Sequence, residues 1–255
     1  MPSNLPRGRP NASRQWPAPG SPWLMKQKWH DLLFIHWPVP VGQLRPHVPA
    51  RLEIETYDNS AWLGVVPFRM SGIRLHGSPP LPGASAMPEL NVRTYVRAEG
   101  KPGVWFFSLD ATNPLAVMAA RRFFHLPYFR AAMRCQHRPG GEIVYTSRRT
   151  DAQTRSEAKP AEFRGRYAPA GDVFHARSGS IEYFLTERYC LYAEARGEIL
   201  RCEIDHDPWP LAPAHSEIEV NTMAAALGVG LPATTPLLHF AGFQDVRVWR
   251  MRRIR

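Results

Sequence analysis

Four polar side chains occupy every second position in the segment PELNVRTYV, residues 88–96. Alternate side chains of a β-strand share one face, so this spacing places on one side Glu89, Asn91, Arg93 and Tyr95. A carboxylate that shares a face with a guanidinium and a phenol could bind an organic acid and move a proton. A solvated outer face is the commoner explanation for such alternation. The alternative is a polar interior that lines a ligand cavity.

Two further charged residues, Glu187 and Arg188, lie among aromatic residues in FLTERYCLY. An internal ion pair with Glu89 or Arg93 is one interpretation, and a half-exposed helix face is the one that base rates favour. We count both among the candidate ligand-binding residues, together with Trp105 of the segment GVWFFSLDA.

The segment GVWFFSLDA follows PELNVRTYV after a GKPG turn, which predicts a hairpin of two strands. Ser108 and Asp110 stand near the end of the second strand. Asp110 or Asn113 could cap the helix that follows, which is a simpler role than catalysis.

Motifs for the common classes of enzyme are missing from the sequence. It contains no G-x-S-x-G, no P-loop and no G-x-G-x-x-G, so hydrolase, NTPase and dinucleotide-binding functions lack support. The cluster CEIDHDPWPLAPAH, residues 202–215, does not have the spacing of a metal site. We therefore predict no metal and no cofactor.

The net charge of +10 is concentrated at the two ends of the chain. Residues 1–24 carry three arginines and no acid, and residues 247–255 carry five arginines. The remaining body is close to neutral, with about +2, so it has no basic surface of the kind that binds a phosphate backbone. Nucleic-acid binding is disfavoured.

Composition predicts a cytoplasmic protein. No run of about 18 apolar residues is present, so no membrane span is expected. The first residues lack the apolar core of a secretory signal. Three widely spaced cysteines are typical of reduced thiols in the cytoplasm, buried as small hydrophobic residues.

Turn residues divide the chain into short apolar or alternating segments, which predicts a mainly β (α+β) fold with an antiparallel sheet system. Residues 1–24 are rich in Pro and Arg and are expected to form a flexible tail, and residues 25–255 a single domain. Predicted strands include DLLFIHWPV, RLEIETY, AWLGVVPFRM, ELNVRTYV, GVWFFSLDA, EIVYTSRR, EILRCEI and DVRVWRM.

Few helices are predicted. The segment NPLAVMAARRFFH has Asn113 as a cap and Pro114 at the first helical position, and it should end at Leu126 because a proline follows. SIEYFLTERYCLYAEA is a second candidate helix, and NTMAAALG is a third, closed by Gly228. VGQLRPHVP is expected to form a single turn.

Segments from about Trp29 to Trp249 resemble, in order, the YqjF-like family of uncharacterised bacterial proteins. The resemblance rests on HWPVPVGQLRPHVPARLEIETYDNSAWLGVVPFRM, PELNVRTYV, GVWFFSLDA, ARRFFHLPY, FLTERYCLY and PLLHFAGFQDVRVW. The chain is more distantly similar to the acetoacetate decarboxylase superfamily. That similarity implies a cone-like antiparallel β-barrel with a few short helices.

The same similarity implies roles for individual residues. Glu89 falls where the decarboxylase has a pocket glutamate, and the interval from Glu89 to Tyr128 matches the family's glutamate-to-lysine interval. Arg121 matches the motif arginine, and Arg122 replaces the glutamate beside it. The implied pocket has Glu89 as acid or base, Tyr128 as hydroxyl donor and Arg93 as carboxylate anchor.

The reactive lysines of the decarboxylase are replaced in this chain by Tyr128 and Phe129. In that family the first lysine forms a Schiff base and its neighbour lowers its pKa by charge repulsion. Neither replacement can form an imine. All four lysines lie in polar or turn segments: Lys26, Lys28, Lys101 and Lys159. Schiff-base decarboxylation is therefore not expected.

Three functions stay open at this point. The favoured one is a pocket for a small carboxylate or carbonyl compound with non-covalent proton transfer, as in a lyase or isomerase, which requires Glu89 to be buried near Tyr128 or Arg93. The second is a sensor or carrier that binds a ligand without turnover. The third is a nucleic-acid or acidic-partner binder acting through the arginine-rich ends. A homodimer paired through strand edges is a further expectation.

Overall fold

Strands dominate residues 13–80, 86–151 and 160–254, which are the residues that the computed structural model describes. The strands are β1 (Met25–Val39), β2 (Glu53–Ile54), β3 (Ala61–Leu75), β4 (Met87–Ala98), β5 (Lys101–Ala111), β6 (Tyr128–His137), β7 (Ile143–Arg149), β8 (Glu162–Pro169), β9 (Cys190–Ala195), β10 (Glu198–Asp205), β11 (Leu211–Asn221), β12 (Leu237–Val248) and β13 (Arg252–Arg253). The short helices are α1 (Val41–Leu44), α2 (Pro114–Ala119) and α3 (Ile181–Thr186). The mainly β fold is as predicted.

The strands form one sheet in the order β13-β10-β9-β5-β6-β7-β8-β11-β12-β1-β3-β4-β2. Strand β4 also pairs with β5, and β10 also pairs with β12. Most pairs are antiparallel, as expected, whereas β5 runs parallel to both β6 and β9. The parallel β5–β6 pair places Tyr128, the first residue of β6, beside Leu109 near the end of β5.

Strand β4 is buried on both faces. Its apolar side chains, such as Leu90 and Val92, belong to the largest apolar cluster. Its polar face is also covered, because Glu89 is only 4% exposed and Arg93 only 9%. The solvated outer face that base rates favoured is therefore wrong for this strand.

The β4–β5 hairpin forms as predicted, with a turn at Glu99 and Gly100, which both have positive φ. The pairing contains a β-bulge: Val92 lies opposite Ser108, but Arg93 lies opposite Phe106. The extra residue is Phe107. Compared with strict alternation, it moves each side chain of residues 101–106 to the other face of the sheet.

The bulge moves Trp105 away from the polar face of β4. Trp105 lies opposite Thr94, and its indole Nε1 donates to the carbonyl of His47 at 3.0 Å. Ala111 lies opposite Glu89, and in a strand without a bulge every second residue before Ala111, including Trp105, would lie on the same face as Glu89. Trp105 therefore does not share the face of Glu89, and its assignment to the ligand-binding residues stays a prediction.

The corner before β6 begins as the sequence predicts. The Asn113 side chain accepts hydrogen bonds from the N–H groups of Leu115 and Ala116, each at 3.0 Å, and Asp110 takes no part in capping. A π-helical turn, Ala120–Phe124, extends α2, and His125 ends it in the left-handed region with φ 52°. The helical segment thus stops just before the predicted end.

The second predicted helix is much shorter than expected. Helix α3 is capped by Ser180, ends at Thr186 and is followed by strand β9. Leu191 and Tyr192 of β9 pair with both β5 and β10, so sheet hydrogen bonding overrides the local helical pattern.

The remaining helical segments are brief. NTMAAALG forms only a 3₁₀ turn, which Gly228 ends with φ 79°. VGQLRPHVP forms the single turn α1, continued by a 3₁₀ turn, in agreement with the prediction. Within the described ranges, no helix has both the length and the apolar character needed to cross a bilayer.

Residues 13–24 pack against the sheet. The Arg14 guanidinium donates to Glu203 Oε2 at 2.5 Å and to the carbonyl of Ile204 at 2.5 Å, and its side chain is 3% exposed. Trp16 Nε1 also donates to Glu203, at 2.7 Å. Residues 13–24 are therefore not part of the flexible tail that was expected over residues 1–24. Residues 1–12 lie outside the described ranges.

Candidate functional site

The centre of the site is a hydrogen-bonded pair of side chains. The Tyr128 hydroxyl donates to Glu89 Oε2 at 2.7 Å. Glu89 is buried and Tyr128 is half-buried. The favoured hypothesis required a buried Glu89 within reach of Tyr128, and the structure meets that requirement.

The backbone of Glu89 is held from the other face of the sheet. The Tyr145 hydroxyl lies 2.7 Å from the carbonyl oxygen of Glu89 and 2.9 Å from that of Phe68, the residue opposite Glu89 on β3. Tyr145 is completely buried. This contact fixes the position from which the Glu89 carboxylate projects.

Tyr128 is held where β6 begins. The backbone N–H of Leu109 donates to the carbonyl of Pro127 at 3.0 Å, and Leu109 lies opposite Tyr128 in the parallel β5–β6 pair. Arg121 Nε donates to the carbonyl of Tyr128 at 2.7 Å, and the Arg121 guanidinium also pairs with Asp151. Arg121, predicted to bind ligand, thus supports the backbone of the corner.

Burial controls the protonation of the pair. Burial raises the pKa of Glu89 to about 7, against the opposing effect of the hydrogen bond from Tyr128, and the Asp110 carboxylate raises it further. Burial and the adjacent Glu89 charge raise the pKa of Tyr128 well above its ordinary value. Near neutral pH, Glu89 can therefore gain or lose a proton while Tyr128 keeps its own.

A buried ion pair lies on the opposite face of β5. Both Nε and Nη2 of Arg149 donate to Asp110 Oδ1, at 3.0 and 2.8 Å, and the Arg149 guanidinium lies 3.8 Å above the Phe129 ring. Asp110 Oδ2 has no hydrogen-bond partner among the described residues. Burial raises the pKa of Asp110 to about 6, and Arg149 opposes that shift. Sequence reasoning missed Arg149, which no local pattern links to Asp110.

Further along the Glu89 face, Arg93 is a buried cation without an acidic partner. It forms no salt bridge with any carboxylate of the described ranges, and its Nε lacks a hydrogen-bond partner there. Nη2 makes a long contact, 3.4 Å, to the carbonyl of Leu185. Asn91, between Arg93 and Glu89, has a buried Oδ1 that also lacks a partner.

His36 completes this part of the face and was not identified from the sequence. Its Nε2 lies 2.5 Å from the Tyr95 hydroxyl. Burial and the Arg93 charge lower the pKa of His36 well below its ordinary value, so the ring is neutral. The alternating pattern of β1 could have placed His36 in a strand, but not opposite Gly64 and beside Arg93.

Glu187 and Arg188 are both buried, at 4% and 6% exposed, so the expected half-exposed helix face is wrong. They follow α3 and pair with partners other than Glu89 and Arg93. Glu187 accepts from the backbone N–H of Trp209 at 2.9 Å and from the Tyr189 hydroxyl. Arg188 pairs with Glu55, and its guanidinium lies 4.9 Å from the Tyr95 ring.

Two cavities accompany these residues. One, of about 360 Å³, is lined by Glu55, Glu187 and Arg188 together with Gln15 of the N-terminal segment. The other, of about 500 Å³, lies against β6, β7 and β8. Neither has Glu89 or Tyr128 in its described lining.

No group of three or more His, Cys, Asp or Glu side chains in the described ranges has the geometry to hold a metal ion. The three cysteines are free thiols. Cys190 and Cys202 are fully buried, as the sequence predicted for small hydrophobic residues.

Most of this chain matches a known protein family. A family model described as an uncharacterized conserved protein, DUF2071, matches residues 26–245. This chain belongs to the DUF2071 family. A relative of this DUF2071 protein is the uncharacterized protein YqjF of Bacillus subtilis (strain 168), 47% identical over 236 residues, which is 92% of this chain and 95% of the relative.

Solved structures show the fold of this DUF2071 protein. The acetoacetate decarboxylase of Legionella pneumophila is 12% identical and has a TM-score of 0.62, with 100% of this chain and 98% of that chain covered. The enduracididine biosynthesis enzyme MppR, complexed with pyruvate, is 11% identical with a TM-score of 0.61, and the match covers 91% of each chain. These similarities establish an acetoacetate decarboxylase-like fold.

Proposed function

We propose that this protein binds a small carboxylate or carbonyl compound beside Glu89 and Tyr128 and transfers a proton without forming a covalent intermediate. One observation carries the proposal. Glu89 is a buried carboxyl with a pKa of about 7 that is hydrogen-bonded to the hydroxyl of Tyr128. A carboxyl with a pKa near 7 is suited to general acid–base catalysis at neutral pH.

The chemistry follows from the two groups. Ionised Glu89 removes a proton from the carbon next to a carbonyl, and the electron pair moves onto the carbonyl oxygen. The Tyr128 hydroxyl turns from Glu89 to donate a hydrogen bond to that oxygen. Return of the proton from Glu89 to the same or a conjugated carbon gives back the starting compound or an isomer.

A Schiff base has no support at this site. Tyr128 and Phe129 stand where the decarboxylase family has its reactive lysines, and the Phe129 ring packs under Arg149. Lys101 Nζ lies 2.6 Å from Glu203 and Lys26 Nζ lies 2.7 Å from Asp245, so each is engaged in a salt bridge.

We also infer that the strands close into the cone-like β-barrel of the decarboxylase family. The β4–β5 pairing supports closure, because β5 and β4 are the two ends of the run β5-β6-β7-β8-β11-β12-β1-β3-β4 in the strand order. The similarity to MppR, which was solved with pyruvate, supports a small organic acid as the ligand class.

The first test is proton exchange in deuterated water, followed by NMR on pyruvate and other small keto acids. The wild type should exchange the protons next to the carbonyl, and Glu89→Gln should abolish the exchange. Glu53→Gln, which changes an exposed glutamate, is the matched control and should exchange normally. Ligand-induced thermal stabilisation without exchange would reject proton transfer and leave a sensor or carrier. Equal exchange by Glu89→Gln would remove Glu89 from the mechanism.

A further inference from the structure

Four buried polar atoms on or near the Glu89 face lack hydrogen-bond partners within the described ranges. They are His36 Nδ1, Asn91 Oδ1, Arg93 Nε and His239 Nδ1. Each of these residues is no more than 9% exposed. Buried polar groups are normally paired, so four such atoms in one region indicate a binding subsite.

The backbone leaves room for His36 and Arg93 to meet. Gly64 lies opposite Arg93 on β3 and opposite His36 on β1. A Cβ at this position would lie 3.0 Å from His36 Cδ2 and 3.4 Å from Arg93 Cγ. The glycine thus allows both side chains to lie over the same point of the sheet.

The charge of this subsite is positive. Burial lowers the pKa of His239 as well as that of His36, so both rings are neutral at pH 7 and Arg93 supplies the charge. The Arg93 guanidinium lies 5.3 Å from the Phe34 ring and 5.7 Å from the Tyr95 ring, and these aromatic faces do not replace an anion. A bound carboxylate would accept a hydrogen bond from the unpaired Nε of Arg93.

The distance from this subsite to Glu89 sets the length of the ligand. Arg93 and Glu89 are four residues apart on one strand face, which corresponds to about 13 Å between Cα atoms. Hydrogen-bond contacts at both ends take up about 6 Å of that distance, which leaves about 7 Å for the ligand. Pyruvate is too short to contact both side chains at once.

We infer that the ligand lies along β4, with a carboxylate bound by Arg93 beside His36 and a carbonyl about five bonds away at Glu89. The inference rests on the proposed function and adds the substrate class, a medium-chain oxo acid. Asn91, midway between the two ends, faces the chain of the ligand.

The test compares the thermal stabilisation of the wild type by pyruvate, 4-oxopentanoate, 6-oxoheptanoate and the methyl ester of 6-oxoheptanoate. Stabilisation should be greatest with 6-oxoheptanoate, small with pyruvate and lost with the uncharged ester. Arg93→Met should weaken the 6-oxoheptanoate complex by about 10- to 100-fold, as expected for a lost charged hydrogen bond. Arg93→Lys, which keeps the charge, should retain part of the affinity.

The outcomes separate this inference from the proposed function. Pyruvate binding as tight as that of 6-oxoheptanoate, or undiminished 6-oxoheptanoate binding by a folded Arg93→Met protein, would overturn the inference. If pyruvate protons still exchange in such a protein, the proposed function stands without it. If Arg93→Met does not fold, the ester comparison and Arg93→Lys decide. Length-selective binding without proton exchange would support the inference and reject the acid–base role.

Discussion

The hydroxyl of Tyr128 donates to the carboxylate of Glu89 across strand β5, which lies between the strands that carry the two residues. The residues are 39 positions apart in the chain. The same hydrogen bond that orients Glu89 also limits how far burial can raise its pKa. Tyr128 therefore tunes the proposed acid–base group as well as positioning it.

Replacement of Tyr128 by Phe should raise the pKa of Glu89 above about 7. The hydrogen bond from Tyr128 stabilises the ionised carboxylate, and its loss leaves burial less opposed. The titration of Glu89 can be followed by carboxyl-carbon NMR. Tyr57→Phe, which alters a hydroxyl bonded to the carbonyl of Gly179, is the control. An unchanged or lower pKa of Glu89 in Tyr128→Phe would contradict the prediction.

The stability of the protein should depend on pH through Glu89. The carboxyl has a pKa of about 7 in the folded chain and an ordinary value of 4.5, so the folded state retains a proton that the unfolded state has lost. The wild type should therefore lose free energy of unfolding as pH rises from 4.5 to 7, by up to about 3 kcal/mol relative to Glu89→Gln. Urea unfolding over this pH range measures the difference. Parallel profiles for the two proteins would show that Glu89 is not a buried, titrating group.

Replacement of Arg149 by Met should destabilise the protein strongly. Asp110 is fully buried, and its ion pair with Arg149 has side chains that are 6% and 0% exposed. Loss of the cation leaves an uncompensated buried carboxylate, which costs about 3–5 kcal/mol. Urea unfolding gives the change, and the double variant with Asp110→Asn should recover part of it.

The matched control for Arg149 is Arg166 on the neighbouring strand β8. Arg166 pairs with Glu217 at 2.5 Å, but both side chains are about half exposed or more. Arg166→Met should cost less than about 1 kcal/mol. Similar losses for the two arginine variants would argue against the special importance of the buried pair.

The Arg14→Ala variant should release the segment around Trp16. Arg14 is nearly completely buried and pairs with Glu203 and Asp205, so its loss removes the main anchor of residues 13–16. The backbone amides of residues 13–16 should then exchange their hydrogens faster than in the wild type, as followed by mass spectrometry. Arg51→Ala, which breaks a more exposed pair with Glu198, is the control. Equal exchange rates of these amides in all three proteins would show that Arg14 does not hold the segment.

Short-range features of the sequence predicted the parts of the site that depend on one element. The alternation in β4 placed Glu89 and Arg93 on one face, because a strand repeats every two residues. Asn113 and Pro114 predicted the start of α2 from capping chemistry alone. The similarity to the decarboxylase family located Tyr128 relative to Glu89, which no local pattern could do.

Features that depend on the packing of distant elements were not predicted. The burial of both faces of β4 depends on what covers the sheet, and the pattern of one strand does not contain that information. Arg149 meets Asp110 only because β6 and β7 fold back beside β5. Glu187 was assigned to a long helix because its segment has helical spacing, whereas pairing of β9 ends that helix early.

The extra residue at Phe107 also has a consequence for protein engineering and for divergence among relatives. Because Val92 pairs with Ser108 and Arg93 pairs with Phe106, removal of Phe107 would leave both pairs intact and would turn the bulge into a regular stretch of the ladder. A single codon deletion at this position would thus remove the local bend of β5 while the same side chains continue to face Glu89.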